Sequence, residues 1–356
     1  MLKKILNRKQ QEQIHPFLKK KFRLSEILAE YIIRAVSFSS FAVIILIFIF
    51  VFRETLPIFL SPEKNKSAQE EMVQETYGED PANPLPQEYS SENSQTQDNS
   101  HQSGATFSNL MGDNWQPVGD SPKYGLWPLF VGSFKVTIIS VLIAAPIAIL
   151  AALFTAVLAP GWLKEIIKPT IELLAGFPSV VIGFFALVVI ATLFQDLFGY
   201  QYRLNSFIGG LALSLAVIPI IYTVTDDALN TVPKLYSEAS LALGATKWQT
   251  ALFVVLPAAT PGIFAAILLG VGRAFGETMI VLMATGNASL MSFGIFEPVR
   301  TMSATIGAEM AEVVFGDTHY NVLFLIGSIL FVFTFVLNAI AEFYVRKRLL
   351  VKFGGA

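Results

Sequence analysis

"TDDALNTVPKLYSEASLALGATKWQTALFVVLP", residues 225–257, is too apolar for a solvated linker and too interrupted for a membrane span. Pro233 opens a helical pattern, because proline suits a first helical turn, and Leu235, Ala239 and Ala242 then share one face at i, i+4 and i+7. Gly244 is a natural stop, and Thr246 with Gln249 three residues on offers a capping-box start for a second helix. The spacing predicts a short helix, a glycine turn and a second helix leading into an apolar run. The first helix has an apolar face and nothing of its own to bury it, the pattern of an element that docks on a partner.

The rest of the chain has the composition of a membrane protein. Of 356 residues, 53% are hydrophobic and 15% charged, with a formal net charge of −2, a balance foreign to a soluble enzyme. The absence of cysteine excludes a disulfide scaffold and thiol-based metal or redox chemistry, and His15, His101 and His319 are too scattered for a zinc site. A spanning helix needs about 20 apolar residues. Six stretches approach or exceed that length: 35–58, 127–158, 171–194, 206–225, 257–284 and 321–343. The first is long, follows a basic lead and has no A-x-A-like site behind it, so it reads as a retained helix and not a cleaved signal peptide.

Lysine and arginine set the expected orientation. With the N-terminus inside, seventeen of the 25 fall in inside segments, six fall outside, counting Arg53 near the outer end of the first stretch, and Lys135 and Arg273 lie within spans. Both termini are therefore expected in the cytoplasm, with residues 59–126, 195–205 and 285–320 outside. Residues 1–34 read as a basic cytoplasmic lead drawn to anionic lipid, and 346–356 as a basic tail. Residues 59–106 read as an external acidic insert, of which 61–105 have too few large aliphatics to offset the entropy of ordering. The remaining 107–345 read as a core with five of the spans.

The fifth span holds an anomaly. "GVGRAFGETMIVLMATG", residues 270–286, carries Arg273 and Glu277 within an apolar run. A continuous helix would put them on one face. A lipid-facing arginine deep in the bilayer costs at least about 2.5–3.5 kcal/mol, so the pair is expected to face protein or a wet cavity. Two readings stay open: an ion pair that specifies helix packing, helped by the G-x-x-x-G spacing of Gly272 and Gly276, or a guanidinium that attracts a crossing oxyanion through parallel hydrogen bonds.

The docking segment supplies a family resemblance. Glu238-Ala239-Ser240, three residues, Gly244, nine residues, then Val254-x-Leu256-Pro257 resembles the EAA motif of ABC importer permeases, departing at Ser240 and Val254. "GRAFGETMIVLMATGN" (272–287), "LLAGFPSVVIGFFAL" (173–187), "EPVRTMSATIGAEM" (297–310) and "HYNVLFLIGSILFVFTFVLN" (319–338) are similar to the phosphate ABC importer permeases of PstC type. The resemblance implies an all-α integral membrane protein of the type I ABC importer permease fold, with six transmembrane helices and a cytoplasmic coupling helix, in the bacterial inner membrane. It implies ATPase coupling by Glu238, Ala239, Ser240, Gly244, Leu256 and Pro257. Arg273 and Glu277 would serve in phosphate passage, with Arg300 and Glu309 as weaker candidates at the outer mouth.

Implied partners are a second permease of PstA type, an ATPase dimer of PstB type and an external phosphate-binding protein of PstS type, besides lipid; no nucleic acid is expected. The chain has no G-x-x-x-x-G-K-[ST] loop, "GATK" at 244–247 lacking the upstream glycine and the final hydroxyl residue. It is therefore expected to be no enzyme and to carry no cofactor, ATP and Mg residing on the ATPase. The residues leave open another oxyanion, sulfate or molybdate, and a transporter or channel that works alone.

Overall fold

The computed structural model describes residues 24–60, 105–119 and 121–353. The expectations for residues 61–104 and for most of the basic lead lie outside the described residues. The chain divides into two compact units, residues 1–50 and 51–356. Helix α1 (Leu24–Leu60) supplies the described part of the first unit and runs on into the second.

The second unit is a helical bundle. After a single turn, α2 (Phe107–Leu110), a two-residue hairpin pairs β1 (Trp115–Gln116) with β2 (Lys123–Tyr124), Trp115 opposite Tyr124. The long helices follow: α3 (Trp127–Leu153), α4 (Gly161–Ala175), α5 (Ser179–Phe185), α6 (Ala191–Phe198) and α7 (Ser206–Thr231). Then come α8 (Lys234–Ala242), α9 (Lys247–Thr250), α10 (Leu256–Gly276), α11 (Met279–Ala284), α12 (Met302–Glu309) and α13 (Thr318–Phe353). Wide π-helical turns at Phe154–Leu158, Ala186–Ile190 and Ala251–Val255 extend α3, join α5 to α6 and join α9 to α10. The last sits just upstream of Pro257, which lacks the N–H that a continuing α-helix needs there.

Among the described residues, six helical stretches are long and apolar enough to cross a bilayer: Glu30–Leu60, Trp127–Leu158, Ser179–Phe198, Ser206–Thr231, Lys247–Gly276 and Thr318–Ala341. Two expected spans are drawn differently. Residues 171–194 are not one helix: α4 ends at Ala175, and Pro178 caps α5, because proline forces the residue before it out of the helical region. Residues 257–284 are not one helix either. The helix starts ten residues earlier, at Lys247, and stops at Gly276, with α11 resuming at Met279.

α3, α7 and α10 form the centre of the bundle. Their contact is lined by small side chains, Ala144, Ala148 and Ala152 on α3, Ala212 on α7 and Ala266 on α10, all at 0% exposure. Between helices in a bilayer, close van der Waals approach does the work that hydrophobic exclusion does in water. A second core joins Leu110, Trp115 and Tyr124 to Phe275, Met302 and Leu323, where Phe275 lies 4.2 Å from Phe333 between ring centres. The bundle has two ends. One holds the hairpin, α12 and the start of α7, where Ser206 N–H and Phe207 N–H donate to the Glu297 and Ile295 carbonyls of the segment before α12 at 3.0 Å each. The other holds α4, the close of α7, α8 and α9.

Candidate functional site

α8 and α9 form the helix, glycine turn and helix expected from the spacing. Pro233 caps α8, and Thr246 caps α9 in a full capping box with Gln249. Gly244 has φ +88, and around it Gly244 N–H donates to the Leu241 carbonyl (3.0 Å) and Ala245 N–H to that of Ser240 (3.2 Å). This pair of bonds closes a helix on a left-handed residue, which glycine adopts without a Cβ penalty. Ser240 and Thr250 hydroxyls lie 3.0 Å apart and tie α8 to α9. Glu238 and Ala239 are exposed. Leu235, Leu243 and Trp248 are exposed as well, at 69%, 89% and 53%, an apolar surface that this chain does not cover.

Near this surface lies a buried polar network. Lys168 Nζ on α4 donates to Asp226 Oδ2 on α7 at 2.6 Å, and Asn230 Nδ2 donates to the same oxygen at 3.0 Å. Tyr222 Oη donates to Thr155 Oγ1 at 2.9 Å, and Thr155 in turn contacts Asp226 Oδ1 at 3.4 Å. Hydrogen bonding to Asp226 raises the Lys168 ammonium above its usual pKa despite partial burial. Lys168, Asp226 and Tyr222 were not singled out in the sequence, and no local spacing links residues so far apart.

The charged pair of the fifth span sits at a break. Arg273 lies in the last turn of α10, where a cation complements the helix dipole. Glu277 is the first residue beyond it, in extended conformation at φ −70, ψ 133, so the two do not meet by helical register. Arg273 Nη2 stands 3.9 Å from Glu277 Oε2, too far for a hydrogen bond. Their side chains are 53% and 9% exposed: Glu277 faces the bundle, whereas Arg273 projects out of it. Of the two placements expected for the pair, protein or a wet cavity, Glu277 takes the first, and Arg273 is not buried by this chain. The two glycines do not mediate packing within the chain, since a Cβ on Gly272 would meet only Asn338 Oδ1 at 3.6 Å and one on Gly276 would meet nothing within 4 Å.

Hydroxyl groups hold the break open. Ser303 Oγ donates to the Glu277 carbonyl at 2.6 Å, satisfying an acceptor left over where α10 stops, and Ser133 Oγ accepts from Met302 N–H at 2.9 Å. Ser133, Thr137, Thr301 and Ser303 line a tight crevice with Glu277 that leaves no room for water. Gly132 lets α3 approach this segment, since a Cβ there would lie 2.2 Å from the Arg300 carbonyl oxygen.

At the α12 end, Arg300 and Glu309 are brought together, as an ion pair through Arg300 Nη1 and Glu309 Oε1. Glu309 Oε2 also meets His319 Nε2 at 2.9 Å, and its Oε1 accepts from Trp115 Nε1 at 3.2 Å. Burial pushes the Glu309 carboxyl up, but bonds from His319 and Trp115 and the Arg300 charge outweigh it and hold the group below the usual carboxylate range. Asn287, left-handed at φ 46 after Gly286 at φ 82, turns the chain out of α11 and accepts from Arg300 Nε at 3.1 Å. Trp115 and His319 were missed as site residues. His319 opens one of the runs quoted above, but nothing in its spacing, or in that of Trp115, ties them to Glu309. Arg273 and Glu277 do not contact this cluster; the docking segment lies at the opposite end of the bundle.

Residues 144–349 match the family described as binding-protein-dependent transport system inner membrane component. The chain is 38% identical over 235 residues to the "Probable ABC transporter permease protein YqgH" of Bacillus subtilis, covering 66% of this chain and 76% of that protein. It is 35% identical over 260 residues to the phosphate transport system permease protein PstC of Mesorhizobium japonicum, covering 68% and 79%. The same-named protein of Pasteurella multocida is 32% identical, covering 68% and 80%. With more than half its length in the family match and a six-span helical fold, this chain belongs to the binding-protein-dependent transport system inner membrane components, as an ABC importer permease of PstC type and a multi-pass membrane protein.

Proposed function

We propose that this chain conducts inorganic phosphate as one permease subunit of an ATP-driven importer, beside a PstA-type permease, a PstB-type ATPase dimer and a PstS-type binding protein. In this reading both termini and the α8 end face the cytoplasm, and the α12 end faces outward to receive phosphate from the binding protein. Residues 1–34 and 346–356 are cytoplasmic, 59–106 form an external insert, and 107–345 are the permease core. ATP and Mg act on the ATPase. Relatives named as phosphate permeases support the substrate. The observation that carries the coupling role is α8, exposed, ended by a left-handed glycine and cross-tied to α9, at the end of the bundle remote from the charged break.

Closure of the ATPase dimer on ATP moves α8, and α9 with its continuous helix to Gly276 carries that motion as far as Arg273. Arg273 projects from the chain where the second permease or a wet passage meets it, so its planar guanidinium is free to donate two parallel bonds to a tetrahedral oxyanion. Glu277, buried beside it, limits how tightly the anion is held. A transported ion must leave as well as arrive, so weak binding here suits conduction. Arg300, already held by Glu309 and Asn287, is a structural member of the outer mouth more than a free anion contact.

The test is uptake of labelled phosphate and sulfate by proteoliposomes holding the whole complex. ATP-dependent phosphate uptake without sulfate uptake is expected. Sulfate uptake without phosphate uptake would overturn the substrate, and flux without the ATPase would overturn the mechanism.

A further inference from the structure

Behind the docking helix is a cavity of about 270 Å³ that the transport cycle above does not use. It lies between α8, the start of α9 and the closing turns of α3 and α7. At about 30 Å³ of liquid volume per water, it has room for a tetrahedral oxyanion. Val157, Leu229 and Val255 give it an apolar wall, and Asn230, Ser237 and Thr250 give it polar groups. Lys234 and Lys247 line it from two different helices.

The two lysines are placed against local electrostatics. Each is the first residue of its helix, where a cation opposes the helix dipole, and neither helix has an acidic residue in its first turn. Neither lysine has an ion-pair partner among the described residues. Asp226 on α7 is already bound by Lys168 and Asn230, and Glu238, one turn after Lys234 on α8, makes no ion pair with it. Two exposed ammonium groups without an ion pair, on one cavity wall with the Ser237 and Thr250 hydroxyls, match an anion that has several acceptor oxygens.

We infer that this cavity binds a phosphate group, from inorganic phosphate or from an anionic phospholipid headgroup, bridging Lys234 of α8 to Lys247 of α9. The bridge braces the docking helix against the bundle. That consequence rests on the coupling role proposed above; the binding does not, and its test needs no ATPase.

The full-length chain in nanodiscs is treated with an amine-acetylating reagent, and modification of Lys234 and Lys247 is followed by mass spectrometry, with Lys123 as reference. One arm titrates inorganic phosphate in neutral lipid, and the other replaces neutral lipid with phosphatidylglycerol. Protection rises as 1 + [L]/Kd, so acetylation of both lysines is expected to slow about tenfold near 10 Kd in one arm, which names the source. Lys123 should be unaffected. Ser237→Trp, which fills the cavity, and Lys234→Gln, scored at Lys247, should each abolish the protection. No protection in either arm, or protection that survives both substitutions, overturns the inference.

Discussion

Gly244 offers the sharpest test of the docking segment, because its surroundings separate backbone strain from collision. A Cβ at this position would meet nothing of this chain within 4 Å, while φ is +88. Any cost of substitution within the chain is therefore conformational. A non-glycine residue in the left-handed region costs about 1–2 kcal/mol, asparagine less, and a β-branched residue is a true outlier there. Since 1.4 kcal/mol is about tenfold in an equilibrium, Gly244→Ala should reduce the population of the closed turn about five- to thirtyfold, Gly244→Asn less and Gly244→Val more. The assay is phosphate uptake per ATP hydrolysed by the reconstituted complex, with co-purification of the ATPase scored alongside. The account expects coupling to decline in the order Gly, Asn, Ala, Val. Full coupling by Gly244→Val would refute it, and a loss for Asn equal to that for Val would show that bulk and not backbone geometry matters.

Gly132→Ala forces a Cβ to 2.2 Å from a backbone oxygen of Arg300, an overpacking that costs about 1–3 kcal/mol or more; thermal unfolding in detergent should show a lowered Tm, and an unchanged Tm would mean that α3 and the Arg300 segment are not so close. Glu309 has a folded pKa below its unfolded value of about 4.3. Its contribution is complete above that value and is lost as pH falls through the lower folded one. Melting curves below about pH 5 should therefore fall less steeply for Glu309→Gln than for the parent, and parallel curves would contradict the network.

The docking segment was legible because its determinants are local: Pro233, Gly244, Thr246 and Gln249 each act within a turn of their own backbone. Spans were legible from apolar length, but not their breaks. α10 stops at Gly276 because Ser303, from a segment 26 residues on, satisfies the Glu277 carbonyl, and no apolar count contains that information. The relation of Arg273 to Glu277 differs from helical register for the same reason, since Glu277 is extended where a continuous helix was expected. The Lys168–Asp226 and Glu309–His319–Trp115 groupings depend on tertiary contacts spanning 58, 10 and 194 positions. Arg300 and Glu309 were identified as residues, and their mutual pairing came only with the fold.

The central claim is that the half-exposed guanidinium at the end of α10 serves the passage of phosphate. Arg273→Gln keeps a polar, hydrogen-bonding side chain, shorter by two atoms, and removes its charge. Labelled phosphate uptake by proteoliposomes containing the assembled complex measures the consequence directly, with assembly checked by co-purification. The account predicts an assembled complex without phosphate uptake; uptake at the parental rate would contradict it.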